Sequence, residues 1–173
     1  MLKKLLVIAL ALVLACPAVL AAAETTVFTD SLGREITVDR DIRRVAVAGP
    51  SAQIVVFALA PDQLVGLSRA WEHPAEDFLD ERYLNLPVLG QLHGGRGGIN
   101  LEALLALSPQ VIIDVGEAKA DMAQELDDLQ AQTGVPVVFI EEHLDAMDET
   151  YRMLGTLLGR EEQAETLAAC CAD

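Results

Sequence analysis

Gly98-Ile99-Asn100-Leu101-Glu102-Ala103-Leu104-Leu105-Ala106-Leu107-Ser108-Pro109-Gln110-Val111-Ile112-Ile113-Asp114 is the stretch whose reading decides the fold. Asn100 has the short polar side chain of a helix N-cap, and Leu101, Leu104, Leu105 and Ser108 recur at helical spacing. Pro109 stops the helix, and Val111 to Ile113 form the short apolar run of a buried parallel strand. A helix joined to a strand by so short a link belongs to a sheet covered by helices. The same spacing predicts that the leucines pack inward and that Glu102, in the first helical turn, faces outward.

Downstream, a strand over Val111 to Val115, a helix from about Lys119 to Gln132 and a strand over Val135 to Ile140 continue the alternation. Asp145 is read as the cap of a helix ending near Leu158-Gly159, and Glu161 opens another helix that is still running at Asp173. Upstream, Thr26 to Asp30 and Glu35 to Val38 flank Ser31-Leu32-Gly33-Arg34, which predicts a β-hairpin. Arg44 to Ala48 reads as the first core strand, Gly49-Pro50 as its turn, and Ser51 as the cap of a helix to about Leu59. Leu64 to Leu67 and Pro87 to Gly90 are further short strands, with a helix over Ala75 to Tyr83 between them and a flexible glycine loop at Gly94 to Gly98. The whole predicts an α/β, Rossmann-like doubly wound lobe with a mainly parallel sheet of four or five strands. Ligands of such sheets gather at the carboxyl ends of the strands.

Lys3 and Lys4 precede the apolar run Leu5 to Ala15, and Ala21, Ala22 and Ala23 follow, the pattern of a bacterial export signal over residues 1–23. Two processing routes stay open. One is cleavage after Ala23; the other is lipidation at Cys16, since Val13-Leu14-Ala15-Cys16 resembles a lipobox. Either route places the mature protein outside the cytoplasm, in the periplasm. The formal charge of −15 becomes about −17 when Lys3 and Lys4 leave, which argues against nucleic acid as a partner. Cys170 and Cys171 are adjacent and terminal, and read as incidental residues of the last helix.

Taken in order, several fragments resemble one family. Thr29 to Val38 looks like an Asp-x-x-Gly-Arg hairpin, and Gly49-Pro50-Ser51-Ala52-Gln53-Ile54 like the start of a first helix. Leu64-Val65-Gly66-Leu67, Pro87-Val88-Leu89-Gly90, the Asn100 to Ile113 stretch, Gly134 to Val138 and Leu154-Gly155 to Leu158-Gly159 follow. Together they resemble the substrate-binding proteins of ABC importers for iron(III)-siderophores, haem and cobalamin. The family commonly has Glu where Gln53 stands and Gly where Ala60 stands. The resemblance implies residues 24–159 as an N-terminal α/β lobe and 160–173 as the start of an interlobe helix, with a second lobe to follow. The chain is therefore expected to be a truncated or frameshifted product or a fragment, a monomer that binds ligand weakly on its own. It further implies no cofactor, a metal chelate as cargo, and a membrane permease as partner. In the family, the glutamate of the Asn-Leu-Glu motif pairs with a permease arginine, which assigns docking to Glu102. A first-turn carboxylate suits that task, being favoured by the helix dipole and able to accept a bidentate guanidinium.

A bulky anionic or aromatic chelate needs cationic side chains and flat apolar surface at the strand ends. Arg69 and Trp71 follow the second core strand and Arg96 sits in the glycine loop, so the three are expected on one rim. The plain alternative is two solvated arginines and a packing tryptophan. Backbone donors at Ser51 and Gly116 are expected to complete the rim. His73, His93 and His143 are an alternative set, for zinc or manganese, although no HxH or HExxH spacing supports it. An enzyme is the contrasting class, but Gly49-Pro50-Ser51-Ala52-Gln53 is not a nucleophile elbow and no base for Ser51 is identifiable.

Overall fold

The computed structural model describes residues 24–93 and 98–171. The export segment, Cys16 and Arg96 lie outside the described residues. The chain runs β1 (Thr25–Thr29), β2 (Glu35–Asp39), β3 (Val45–Val47), α1 (Pro50–Leu59), α2 (Glu81–Leu84), α3 (Leu101–Ala106), β4 (Val111–Gly116), α4 (Met122–Thr133), β5 (Val137–Glu141), α5 (Met147–Leu158) and α6 (Glu161–Cys171). Single 3-10 turns lie at Pro61–Gln63 and Ala75–Asp77. The helix expected over Ala75 to Tyr83 is thus split into a 3-10 turn and the separate α2, where Asp80 accepts the Arg82 N–H at 3.0 Å.

The central sheet is parallel in the order β3-β4-β5, in register Val45 opposite Val111 and Ile112 opposite Val137. Leu64 to Leu67 and Pro87 to Gly90 join it through single parallel bridges, Val45 to Leu64 and Leu67 to Val88. The expected four or five strands are therefore three ladder strands and two bridging segments. Gly66 brings these segments together, because a Cβ there would lie 2.7 Å from Leu89 Cδ1.

Alternate residues of each strand feed two cores. Val45, Val47, Ile113 and Ile140 pack under α1, α5 and α6, whereas Ala46, Ile112, Val137 and Phe139 pack under α3 and α4. Burial on both faces explains why the strands read as unbroken apolar runs. Asn100 caps α3 as expected, its Oδ1 accepting the Ala103 N–H at 3.0 Å, and Leu104 is fully buried. Leu105 departs from expectation, at 43% exposure. With α3 only six residues long, one buried leucine on that face suffices to dock it.

The β1–β2 hairpin seals the outer edge of β5. Ser31 N donates to Phe139 O at 3.0 Å, Glu141 N to Ser31 Oγ at 2.9 Å, and Arg34 Nη2 to Val137 O at 2.9 Å. Asp30 completes the seal by accepting the Phe139 N–H. An exposed strand edge is an aggregation hazard, and here the turn removes it.

At the carboxyl-terminal side, α5 begins at Met147 with no side-chain cap, so Asp145 does not cap it. Residues 161–171, expected to begin an interlobe helix, form α6 and pack back on α5. Gly155 makes this possible, since a Cβ there would overlap the Cβ of Ala164. Arg152 ties the pair together, bonding Asp148 at 2.6 Å and Glu165 at 2.9 Å.

Candidate ligand-binding cleft

α1 starts immediately after β3, and its start builds the cleft. Pro50 occupies the first helical position, where a missing N–H costs nothing. Gly49 is the N-cap residue and no side chain caps the helix. Ser51 is thus the second residue of α1 and not its cap, which corrects the reading from the sequence. Proline pre-sets the helical φ, and the helix starts two residues earlier than a cap at Ser51 would place it. The positive end of α1 is left facing the carboxyl ends of β3 and β4.

A cleft of about 120 Å³ lies there, lined by Gly49, Pro50, Ser51, Asp114, Gly116 and Lys119, among others. Ser51, Gly116 and Lys119 also line a wider groove of about 600 Å³ with Glu142, His143 and Leu144. Pro50 is shared with a third hollow of about 210 Å³, lined by Gln53, Ile54, Arg69, Trp71 and Glu72. Ser51 and Gly116 are therefore brought together in one cleft, and Arg69 and Trp71 in a neighbouring hollow that meets it at Pro50.

The members of that hollow differ in freedom. Arg69 is exposed and lies 3.5 Å from Glu72. Trp71 is half-buried in an aromatic group, edge-on to Phe57 at 5.0 Å, with its indole N–H donated to Tyr83 O at 3.2 Å. Gln53 positions the first of these through the backbone. Its buried Oε1 accepts Ser68 N at 2.8 Å, Ser68 Oγ at 2.9 Å and Arg69 N at 3.1 Å, so this side chain anchors the rim loop from below.

Asp114 forms the floor and was not singled out from the sequence, although a lone acid inside the apolar run Val111 to Val115 is its signal. Its Oδ1 accepts the Val115 N–H at 3.1 Å, and Oδ2 lies 3.6 Å from His93 Nε2. Burial pushes its carboxyl above the usual range, while His93, the Val115 N–H and Lys119 draw it back down. His93 Nδ1 in turn faces Glu125 Oε2 at 3.6 Å.

The three histidines do not converge. His93 lines the narrow cleft and His143 the wide groove, while His73 is exposed and lines neither. Among the described residues no group of three His, Cys, Asp or Glu side chains could hold a metal ion. The fold does bring a His-Asp pair into the cleft with Ser51, which sequence spacing did not reveal. Both imidazole nitrogens are turned to carboxylates, and among the described residues Ser51 has no hydrogen bond to His93. Glu102 is exposed at the start of α3, beside the partly exposed Leu105.

A family model described as "Periplasmic binding protein" matches residues 45–172. The molybdate-binding protein MolA of Haemophilus influenzae is 28% identical over 141 residues, covering 79% of this chain and 38% of MolA. An ABC transporter solute binding protein from Sulfurospirillum deleyianum superposes with a TM-score of 0.71 at 25% identity, over 84% of this chain and 46% of that one. The heme binding protein HmuT shares the fold, with a TM-score of 0.58 at 22% identity, over 86% of this chain and 45% of HmuT. The chain thus spans less than half the length of these relatives.

Proposed function

We propose, on the premise that this chain belongs to the periplasmic binding protein family of ABC transporters, that it captures a metal chelate, a ferric siderophore, haem or cobalamin, and presents it to a membrane permease. One observation carries this reading: the uncapped start of α1 meets Ser51, Gly116 and Lys119 at the strand ends, with Arg69 and Trp71 beside it. Free helix amides and cations attract the anionic groups of a chelate, and the indole edge offers apolar surface. Likeness to MolA favours a second reading, in which the cargo is molybdate itself. The scattered histidines give no comparable support to zinc or manganese, and His93, which has no hydrogen bond to Ser51 among the described residues, gives none to Ser51 as a nucleophile.

Trp71 is the single tryptophan and sits on the rim, so its fluorescence reports occupancy. Titration of haemin, ferric siderophores, cobalamin and molybdate should give shallow but saturable quenching by a chelate, because one lobe covers only one side of a bulky ligand. Supplying a second lobe should raise the affinity. No saturable response to any chelate would end this reading, and a response to molybdate alone would favour the second.

Glu102 is the proposed permease contact. Glu102→Gln should leave the Trp71 titration unchanged while lowering permease docking and uptake; unchanged docking would leave a helix-dipole acid worth about 0.3–1 kcal/mol. Export is proposed by either route, with a mature terminus near Glu24 or a diacylated Cys16. Mass spectrometry of the envelope fraction distinguishes them, and an intact Met1 in the cytosol excludes both.

A further inference from the structure

We infer that the hollow beside the cleft is a subsite for a neutral carboxamide on the ligand, with Gln53 donating to its carbonyl oxygen and Glu72 accepting from its N–H. The inference deepens the proposed capture of a ligand at the start of α1, where hollow and cleft meet at Pro50, and rests on that reading.

Gln53 is a half-used side chain. It is only 2% exposed, and its Oε1 accepts from Ser68 N, Ser68 Oγ and Arg69 N. The two backbone donors fix which end of the amide is oxygen, because a reversed amide would set its own N–H groups against theirs. Nε2 is the opposite end, and it donates no hydrogen bond among the described residues. Buried polar groups are almost always paired, so an interior amide nitrogen with two unused protons calls for an acceptor from elsewhere. Gln53 lines the hollow of about 210 Å³ together with Ile54, Arg69, Trp71 and Glu72, and that space is where such an acceptor would sit.

The other walls decide what the acceptor must look like. Among the described residues, Arg69 and Glu72 are the only charged side chains lining the hollow, and they stand 3.5 Å apart with opposite signs. The hollow therefore carries no net charge, and an anion placed in it gains from Arg69 only while Glu72 repels it. A neutral carbonyl avoids that conflict and still accepts from Gln53. When a carboxamide supplies the carbonyl, its own N–H donates to the Glu72 carboxylate in a charge-assisted bond. Trp71 offers the apolar side. Its indole N–H is already given to Tyr83 O at 3.2 Å and its ring is braced edge-on by Phe57 at 5.0 Å, which leaves ring surface for the ligand.

Benzamide and benzoate make the test, because they share a ring and a shape and differ in charge and in the N–H donor. Trp71 is the single tryptophan, so its indole N–H gives one resonance in a heteronuclear NMR spectrum, read beside the side-chain NH2 pair of Gln53. Titration of the full chain should shift both signals, with benzamide binding about fivefold or more tighter than benzoate. Gln53→Glu keeps an acceptor for Ser68 and Arg69 and removes the donor, so benzamide should weaken by about fivefold or more. Glu72→Gln changes an exposed side chain and leaves Arg69 unpaired, so the order should reverse in favour of benzoate. Equal or tighter binding of benzoate by the unaltered chain overturns the inference. So does an unchanged benzamide affinity in Gln53→Glu, or an unchanged preference in Glu72→Gln. The unaltered chain and the exposed Glu72→Gln carry the test even where Gln53→Glu folds poorly. Haemin and cobalamin are titrated in parallel through Trp71 fluorescence. Chelate quenching without the benzamide preference removes this inference alone, and the preference with silent chelates keeps the subsite and ends only the choice of a chelate as cargo. Silence from the chelates and from both aromatic probes removes the start of α1 as a ligand site, and the inference with it.

Discussion

Two buried aspartates at the level of Phe139, Asp30 on the outer edge of β5 and Asp114 within β4, are treated in opposite ways. Asp30, with its side chain fully buried, accepts five hydrogen-bonding contacts: from the N–H groups of Leu32, Arg34 and Phe139 and from two guanidinium nitrogens of Arg34. Asp114, also in the interior, receives one backbone N–H and leaves an oxygen facing the cleft. The first carboxylate is satisfied by the chain itself and holds the hairpin on the β5 edge. The second accepts one backbone N–H and keeps its other oxygen open to the cleft beside a helix start, where burial disfavours its charged form. The contrast separates a carboxylate held wholly by the chain from one that lines a cleft.

The comparison breaks most readily at Asp30. Asp30→Ala strips the hairpin of its anchor and leaves Arg34, itself 11% exposed, without its buried partner. It should cost about 3–5 kcal/mol, read as a fall in the urea midpoint at constant slope. A tolerated substitution would mean that the seal is decorative. Next in size is Gln53→Ala, which leaves the buried Ser68 N–H and the Arg69 N–H without their acceptor. A loss of about 1–3 kcal/mol is expected, with a shift of Trp71 emission as the rim loop is released.

Asp114→Asn should act with the opposite sign to Asp30→Ala. A folded-state pKa above the ordinary 3.8 means that the folded protein holds this proton more tightly than the unfolded chain. Its stabilising contribution is complete below 3.8 and is lost as pH rises through the folded value. Removing the charge should therefore raise Tm at neutral pH, and the difference should close on acidification towards 3.8. A fall in Tm at neutral pH would place Asp114 with Asp30 as a structural group. The smallest effect is expected at Arg152, which holds the Asp148 and Glu165 carboxyls below their usual range through hydrogen bonds. Their contribution is present at neutral pH and fades as pH falls through the lowered values. Arg152→Gln should lower Tm slightly, less so in high salt, because all three groups are exposed to solvent.

Local chemistry was legible wherever it depended on residues close in the chain. The Asn100 cap, the β1–β2 hairpin, the buried strands and the αL glycine ending α5 at Gly159 all follow from periodicity, capping and turn residues. The helix starts were less legible, because Pro50 moved α1 one residue ahead of Ser51 and Asp145 proved too early for α5. Of the candidate residues, Ser51 and Gly116 line one cleft, while Arg69 and Trp71 line a separate hollow that shares Pro50 with it. The floor was missed, since His93 and Asp114 are twenty-one positions apart in sequence yet 3.6 Å apart in space.

The sequence by itself determined that this chain is a doubly wound α/β lobe with a hairpin in front, because two-sided burial forces apolar strands and short capped links force their order. Only the tertiary structure decided which polar groups meet at the strand ends and how each is paired. Whether a carboxylate is satisfied depends on donors delivered by distant elements, Phe139 to Asp30 and His93 towards Asp114, and no local pattern encodes those approaches.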